Sequence, residues 1–406
     1  MVTIARKAAI SVVHPQLCSG GSEARALWGI DALKRDFDVT LITGGVVDLD
    51  RLNAYYGTGL DPKEFSIRTV RMPLALHRSA KFAGLRGAFF QRYVRRVAPE
   101  FDLMISAYNL CDFGVPGIQF IADFGFVDEW RDQLHPSLQT HKRWWYGDSM
   151  LRRAYLGLCQ RIAPVDPAAW KQNLTVANSD WSAELLRREF GIEARVLYPP
   201  VATEFPTVPW EKKENGFVCV GRVVPEKRMD AVVRILDKVR EAGHEVHLHI
   251  LGGLDDSPFG ARLQELAAWR PWVSLEGRTF GQRKIDLLAG HRFGINACEN
   301  EAFGIAPAEM VKAGAITFVP ASGGQTEIVD HPMLTFENED DAAHKICTVL
   351  SSAALQENLR QHLTGQAAKF SIENIQAGFR EVVLEFLCRK DAAHPPTYLN
   401  RMTLSD

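Results

Sequence analysis

"GFVCVGRVVPEKRMDAVVRIL", Gly216 to Leu236, holds one complete structural unit. The β-branched and aromatic run Phe217 to Val220 reads as a buried strand that ends at Gly221. Arg222, Lys227 and Arg228 follow in a short loop stiffened by Pro225, and the chain then enters a helix. Strand, loop and helix repeated in this order build a parallel sheet with helices on both faces.

Working outward, the unit recurs in both directions. Downstream lie the strand patterns 245–251, 272–277, 293–298 and 315–320. Upstream lie 8–13, 38–43, 65–70, 101–106, 117–122 and 174–179, with helical patterns such as Ser22–Arg35 and Ser182–Phe190 between them. The stretch Tyr198 to Gly216 has four prolines, a charged cluster and no periodicity, so it reads as a linker. The expected fold is therefore α/β, with two Rossmann-like domains of doubly wound parallel sheet, 1–205 and 206–375, facing a cleft. Ligands in such sheets sit beyond the carboxyl ends of the strands.

Composition sets outer bounds. The chain has 406 residues, 46% hydrophobic and 24% charged, which suits two domains with full cores. A net charge of −2 offers no global attraction to nucleic acid or an anionic membrane, and no nucleic-acid partner is expected. No apolar run reaches membrane-spanning length. The seven cysteines are scattered without CxxC spacing, so they suggest neither a zinc site nor a disulfide framework. The cytoplasm is the expected compartment.

The motifs fall after strands. Ser19-Gly20-Gly21 follows the first strand and precedes a helix that Ser22 would cap, an arrangement that can hold a phosphate and also serves as a plain turn. Arg222 comes straight off Gly221, where Arg and Lys227 together can grip a diphosphate by a fork and a point charge. After the strand 293–298 comes "ENEAFGIAPAEMVKAGA", Glu299 to Ala315. Pro307 fits a first helical turn, and N–H groups near Gly304 and Ile305 would face the cleft as anion donors. Glu301, ahead of the helix, can accept bonds from sugar hydroxyls. Glu309, on it, can take two neighbouring hydroxyls, as on a ribose. "ASGGQTEIVD" (321–330) and "ANSDWS" (177–182) read as ordinary turn and cap chemistry, with Ser182 the cap.

Taken together, "GRVVPEK", "ENEAFGIAPAEMVKAGA" and "SGGQTEIV", with "NSDWS", "YPPV" and "KFSIENI", resemble the GT-B glycosyltransferases of the large retaining family 4. The resemblance covers most of Val2 to Leu387. It implies a retaining transferase that moves a sugar from a nucleotide diphosphate to an acceptor hydroxyl, with no metal or other cofactor. It also implies that 376–406 holds a helix crossing back to the first domain. Glu301 would hold the donor sugar, Glu309 the ribose, and Arg222 and Lys227 the diphosphate. The backbone at Phe303, Gly304 and Ile305 would complete the sugar-phosphate contact, Gly21 would approach from the other domain, and the base would lie near Arg278, Thr279 and Phe280. Where family members commonly carry a histidine after the strand at 117–122, this chain has Asp123.

For the acceptor, His77 to Glu100 interleaves six basic residues with Phe82, Phe89, Phe90 and Tyr93. Such a helix can lie on the inner face of an anionic membrane, or pack on the sheet with its basic face in solvent. Cell-envelope polysaccharide synthesis is the setting that the resemblance brings with it. Two rival readings are an epimerase of the same fold and a nucleotide-sugar-binding protein without catalysis.

Overall fold

The computed structural model describes residues 6–18, 20–72, 82–125 and 150–393. It contains two all-parallel sheets. The first has 7 strands in the order β3-β2-β1-β4-β5-β6-β7: β1 Ala9–His14, β2 Asp38–Thr43, β3 Ser66–Thr69, β4 Leu103–Ser106, β5 Ile118–Phe120, β6 Leu174–Ala177 and β7 Ala194–Val196. The second has 6 in the order β10-β9-β8-β11-β12-β13: β8 Glu214–Val220, β9 His247–Leu251, β10 Val273–Gly277, β11 His291–Ile295, β12 Ile316–Pro320 and β13 Thr335–Phe336. The two expected Rossmann-like sheets are thus present, each extended by one short edge strand, β7 or β13, that the sequence pattern does not announce.

The strand order positions the site. In each sheet the chain reverses direction at the middle, between β1 and β4 and between β8 and β11. Loops leaving the two strands on either side of a reversal diverge, and the gap between them is where such sheets bind ligands. The loops after β8 and β11 carry Arg222, Lys227, Glu301 and Gly304. The loop after β1 carries Gly20 and Gly21.

Each sheet has its own core. Val201 already packs into the second one, with Phe217, Phe293 and Phe318, and its N–H bonds to Phe370. The segment read as a linker therefore contributes to the second domain from Val201 onward, because an apolar side chain inside it is removed from water. Tyr198 just before it packs on Phe303 and Phe370. At the other end, the helix Ile372–Ala393 returns to the first domain. Its Phe379 stacks on Phe120 with centroids 4.6 Å apart and closes over Gly29, where a Cβ would stand 2.5 Å from the ring. Gln376 bonds Asp31 at 2.8 Å. Burying a phenylalanine contributes about 1.5–3 kcal/mol, so this helix ties the two domains together.

The domains also join near the cleft. Glu327, which begins its life in the second domain's "SGGQTEIVD", accepts from the N–H groups of Asp180 and Trp181, both at 2.9 Å, and from the Tyr198 hydroxyl at 3.1 Å. It thus serves the open start of the helix Asp180–Phe190 in the first domain, where a carboxylate is favoured. Within that helix start, Ser179 is the cap: its Oγ accepts from Ser182 N at 3.0 Å. The sequence reading gave that role to Ser182, which lies one turn too far in.

The basic helix expected over 77–100 is seen as Ala83–Val97; residues 73–81 lie outside the described residues. Phe90, Val94 and Val97 pack beside Val13 and Ile42 under the sheet. Its apolar stripe is accordingly spent on the protein core. No helix among the described residues is long and apolar enough to cross a membrane.

Candidate active site

Between the sheets lies a cavity of about 360 Å³. Its walls bring together Gly20, Gly21 and Asp123 from the first domain with Arg222, Lys227, Glu301, Phe303, Gly304 and Ile305 from the second. Gly21 faces Ile305 across the cleft: a Cβ at Gly21 would stand 3.3 Å from Ile305 Cγ1.

The second domain supplies the charge. Lys227, in the short 3-10 turn Pro225–Lys227, forms an ion pair with Glu301. Burial, the largest influence, works against the ammonium, but the Glu301 carboxylate outweighs it and holds Lys227 above the usual lysine range. Glu301 is likewise penalised most by burial, yet Lys227 carries it below the usual carboxylate range. Both groups are therefore charged at neutral pH, and each side chain keeps about a fifth of its surface open (22% and 23%). Arg222 is exposed at the mouth and makes no ion pair among the described residues.

The loop carrying Glu301 is held from behind. Gln325 is fully buried; its Nε2 donates to Cys298 O at 2.6 Å while its Oε1 accepts from Asn296 at 2.7 Å. Gly324 N donates to Glu301 O at 2.8 Å. A Cβ at Gly323 would lie 2.5 Å from Glu301 O, and one at Gly324 would lie 2.3 Å from Ala302 O. The glycines of "SGGQTE" thus admit two backbones into contact, a role beyond the plain turn read from sequence. Ala302 O in turn accepts from Ser179 of the first domain at 2.6 Å.

Gly304 then opens the helix Ile305–Lys312 at φ 106, a left-handed conformation that strains any other residue. Phe303 turns its ring into the core, between Tyr198 and Phe370. The described hydrogen bonds leave the N–H groups of Phe303, Gly304 and Ile305 without a protein partner, as expected at a helix start. With two cations beside them, these donors make a seat for an anion such as a diphosphate.

The first domain's contribution differs from the sequence reading. Gly20, not Ser22, is the N-cap of the helix Gly21–Leu33. The Gly20 N–H is occupied by the Tyr56 hydroxyl at 2.7 Å. Ser22 lies inside the helix, with its Oγ 3.1 Å from His14 Nε2 and 2.8 Å from Glu23 Oε2. Glu23 also accepts from Cys18 N at 3.2 Å.

Asp123 lines the cavity on a backbone fastened by Asn109, whose Oδ1 accepts from Ala122 N at 2.8 Å and Asp123 N at 3.1 Å. One carboxylate oxygen accepts from Gly125 N at 2.8 Å. Burial first, and then the Asp123 charge, push the Tyr108 phenol up to about 12.

Other expected donor residues stand elsewhere. Glu309 is buried on its helix, both oxygens 2.7 Å from Lys284 Nζ, and does not line the cavity. Gly221 gives its N–H to Leu251 O at 3.0 Å, inside the sheet. Arg278, Thr279 and Phe280 are not among the residues that line the cavity. Thr279 turns its hydroxyl to Glu276 O at 3.1 Å, and Phe280 meets Tyr55 of the first domain at 6.0 Å between centroids. Conversely, Arg25 lines the cavity and the sequence reading passed it over. It is fully buried, donates to Ile121 O at 3.0 Å and has no partner for Nε; burial brings its guanidinium down to about 10. The helix also carries Glu23 and Asp31, so one more charge in it gave no distinctive signal.

Residues 201–369 match the family model described as glycosyl transferases group 1. A GDP-Man:Man(3)GlcNAc(2)-PP-Dol alpha-1,2-mannosyltransferase of Candida glabrata is 31% identical over 171 residues, 37% of this chain and 34% of the relative. The human alpha-1,3/1,6-mannosyltransferase ALG2 is 27% identical over 242 residues, 52% of this chain and 55% of the relative. The chain thus spans about a third to a half of the length of these curated relatives. Among solved structures, WaaG, a glycosyltransferase involved in lipopolysaccharide biosynthesis, superposes with a TM-score of 0.64 at 16% identity, covering 92% of this chain and 99% of that one. Anabaena HepE with UDP-glucose gives 0.64 at 14% identity, covering 93% and 100%. At such identities the structures establish the common fold.

Proposed function

We propose, from the premise that this chain is a GT-B protein of the glycosyl transferases group 1 type, that it is a retaining glycosyltransferase using a nucleotide diphosphate-sugar. The observation that carries the reading is the anion seat itself. Lys227 and Arg222 stand beside the unpartnered N–H groups at Gly304, with Glu301 next to them as acceptor for sugar hydroxyls. In the reaction the bond from the sugar's anomeric carbon to the diphosphate breaks, and the acceptor oxygen bonds to that carbon on the same face. The acceptor's proton passes to a diphosphate oxygen. Arg222 and Lys227 neutralise the leaving diphosphate, work that requires no metal in this scheme. Asp123 orients the acceptor from the opposite wall. Glu309 serves the ribose only if Lys284 shares it.

GDP-mannose is the first donor to test, since three relatives are named as mannosyltransferases, two of them on dolichol-linked glycans. A lipid-linked acceptor on an anionic surface has one supporting observation. The helix Met150–Ile162, packed beside Ala83–Val97, exposes Leu151, Leu156 and Leu158 next to Arg152 and Arg153. This exposed apolar and basic face supports the reading of a peripheral protein at the cytoplasmic side of a membrane.

The deciding experiment combines a melting-temperature panel of GDP-mannose, UDP-glucose, UDP-N-acetylglucosamine and ADP-glucose with a transfer assay. The expected result is a rise with one donor and transfer with retention at the anomeric carbon, read by NMR. Isomerised sugar without transfer would assign the chain to epimerisation. Tight binding with no turnover on any acceptor would reduce it to a binding protein.

A further inference from the structure

The second sheet carries another cluster near the opposite ends of its strands, which the proposed transfer does not use. Parallel register sets Gly216 of β8 beside His247 of β9, Val218 beside His249, and Glu214 beside His291 of β11. One ligating nitrogen from each of the three histidines falls within 4.8 Å of the others. Glu214 Oε2 lies 3.4 Å from His247 Nε2 and 4.0 Å from His291 Nε2.

Such a cluster needs something to hold it. Among the described residues the Glu214 carboxylate forms its ion-pair contacts with these two imidazoles alone. One hydrogen bond, between His247 Nε2 and His291 Nε2 at 3.0 Å, would place a single proton. It does nothing for Glu214 or for the inner nitrogen of His249.

The outer nitrogens are already fixed. His291 Nδ1 donates to Leu287 O at 2.7 Å. His249 Nδ1 meets Glu276 Oε1 at 2.6 Å, and Glu276 is itself held by Arg283 at 3.0 Å. A proton on each Nδ1 turns each Nε2 lone pair inward. Imidazole tied through its far N–H to a carbonyl or carboxylate is how metal-binding histidines are oriented.

We propose that Glu214, His247, His249 and His291 bind one divalent transition-metal ion of the zinc class. Around zinc, with bonds of about 2.0–2.1 Å, tetrahedral ligand atoms stand roughly 3.3–3.4 Å apart, near the separations of 3.0, 3.4 and 4.0 Å found here. Three imidazoles and a carboxylate suit zinc, nickel or cobalt over magnesium or calcium. Four protein donors fill the coordination sphere, so the ion is structural. It clamps β8, β9 and β11 directly and β10 through Glu276. Gly216 makes the geometry possible: a Cβ there would lie 2.2 Å from His247 Nε2. Glu214, with 64% of its side chain exposed, gives the ion its way in. The cluster shares no residue with the cleft, so it stands independently of the transfer reading.

The test titrates the chelator-treated full chain with Zn²⁺ by calorimetry and with Co²⁺ by visible absorption. The expected result is one equivalent bound, the intense bands of tetrahedral cobalt and a raised melting temperature. His247→Gln and His249→Gln should each weaken binding roughly 100-fold or more, and Glu276→Gln, which does not touch the ion, by about 10–100-fold. Glu214→Ala, at an exposed position, supplies the same readout should a histidine variant fail to fold. Substoichiometric binding without the cobalt bands overturns the proposal, as does unchanged affinity in cooperatively melting variants.

Discussion

Two helix starts face each other across the cleft, and both begin at a glycine. At the first, Gly20–Gly21, the protein supplies its own partners: Tyr56 takes the Gly20 N–H, and the buried Glu23 carboxylate sits in the first turn against Cys18 N and Ser22. At the second, Gly304–Ile305, no side chain caps the helix and no acid stands in its first turn. The same local geometry therefore yields a finished structural joint on one wall and an open anion seat on the other. A glycine before a helix permits a phosphate site; what suits the second start to an anion is the absence of an acid in its first turn and the presence of Arg222 and Lys227.

The contrast is most directly broken at the cations. Arg222→Ala and Lys227→Ala should each lower kcat/KM by about 10²–10³-fold, the cost of losing one preorganised group on a developing anion. Unchanged rates in both would move the anion seat away from Gly304. Next comes pH, acting on the first wall. Burial holds His14, beside Ser22, at about 4. The unfolded histidine takes its proton near 6.5, so stability is complete above that value and falls as pH drops from 6.5 to 4, by on the order of 3 kcal/mol in total. Urea unfolding across this range should show the loss, and His14→Gln should flatten part of it.

Glycine substitutions sharpen the difference further. Gly304→Ala forces a side chain into φ 106 and should cost about 1–2 kcal/mol of stability by urea denaturation. Gly21→Ala meets Ile305 but carries no such strain; it should spare stability and raise the donor KM. The smallest effect is expected from Glu23→Gln. Weakening the built-in anion should cost about 0.3–1 kcal/mol by thermal melts, with kcat/KM close to wild type.

Most strands and helices were legible because their burial leaves a pattern along the chain. Val218 and Cys219 in β8 and Ile316 to Pro320 in β12 are buried on both faces and read as apolar runs. The edge strands β7 and β13 were not legible: three and two residues are too few for any period, and only their neighbours' free edges define them. Arg222, Lys227 and Glu301 could be found because each stands in a short loop after a strand. Arg25 could not, since its position at the cavity depends on how the first helix lies on its sheet. His247-x-His249 did leave a trace, two histidines on one strand face, but His291 joins them only through the pairing of β8 with both β9 and β11.

By itself the sequence determined the two parallel-sheet domains and the loops that meet in the cleft, because periodicity and turn chemistry are local. The tertiary structure decided which of two glycine-led helix starts stays open, which acid pairs with Lys227 and which with Lys284, and how Glu327 and the last helix lock the domains. Those outcomes depend on groups distant in the chain competing for the same donors and acceptors. That competition is settled only when the sheets are packed.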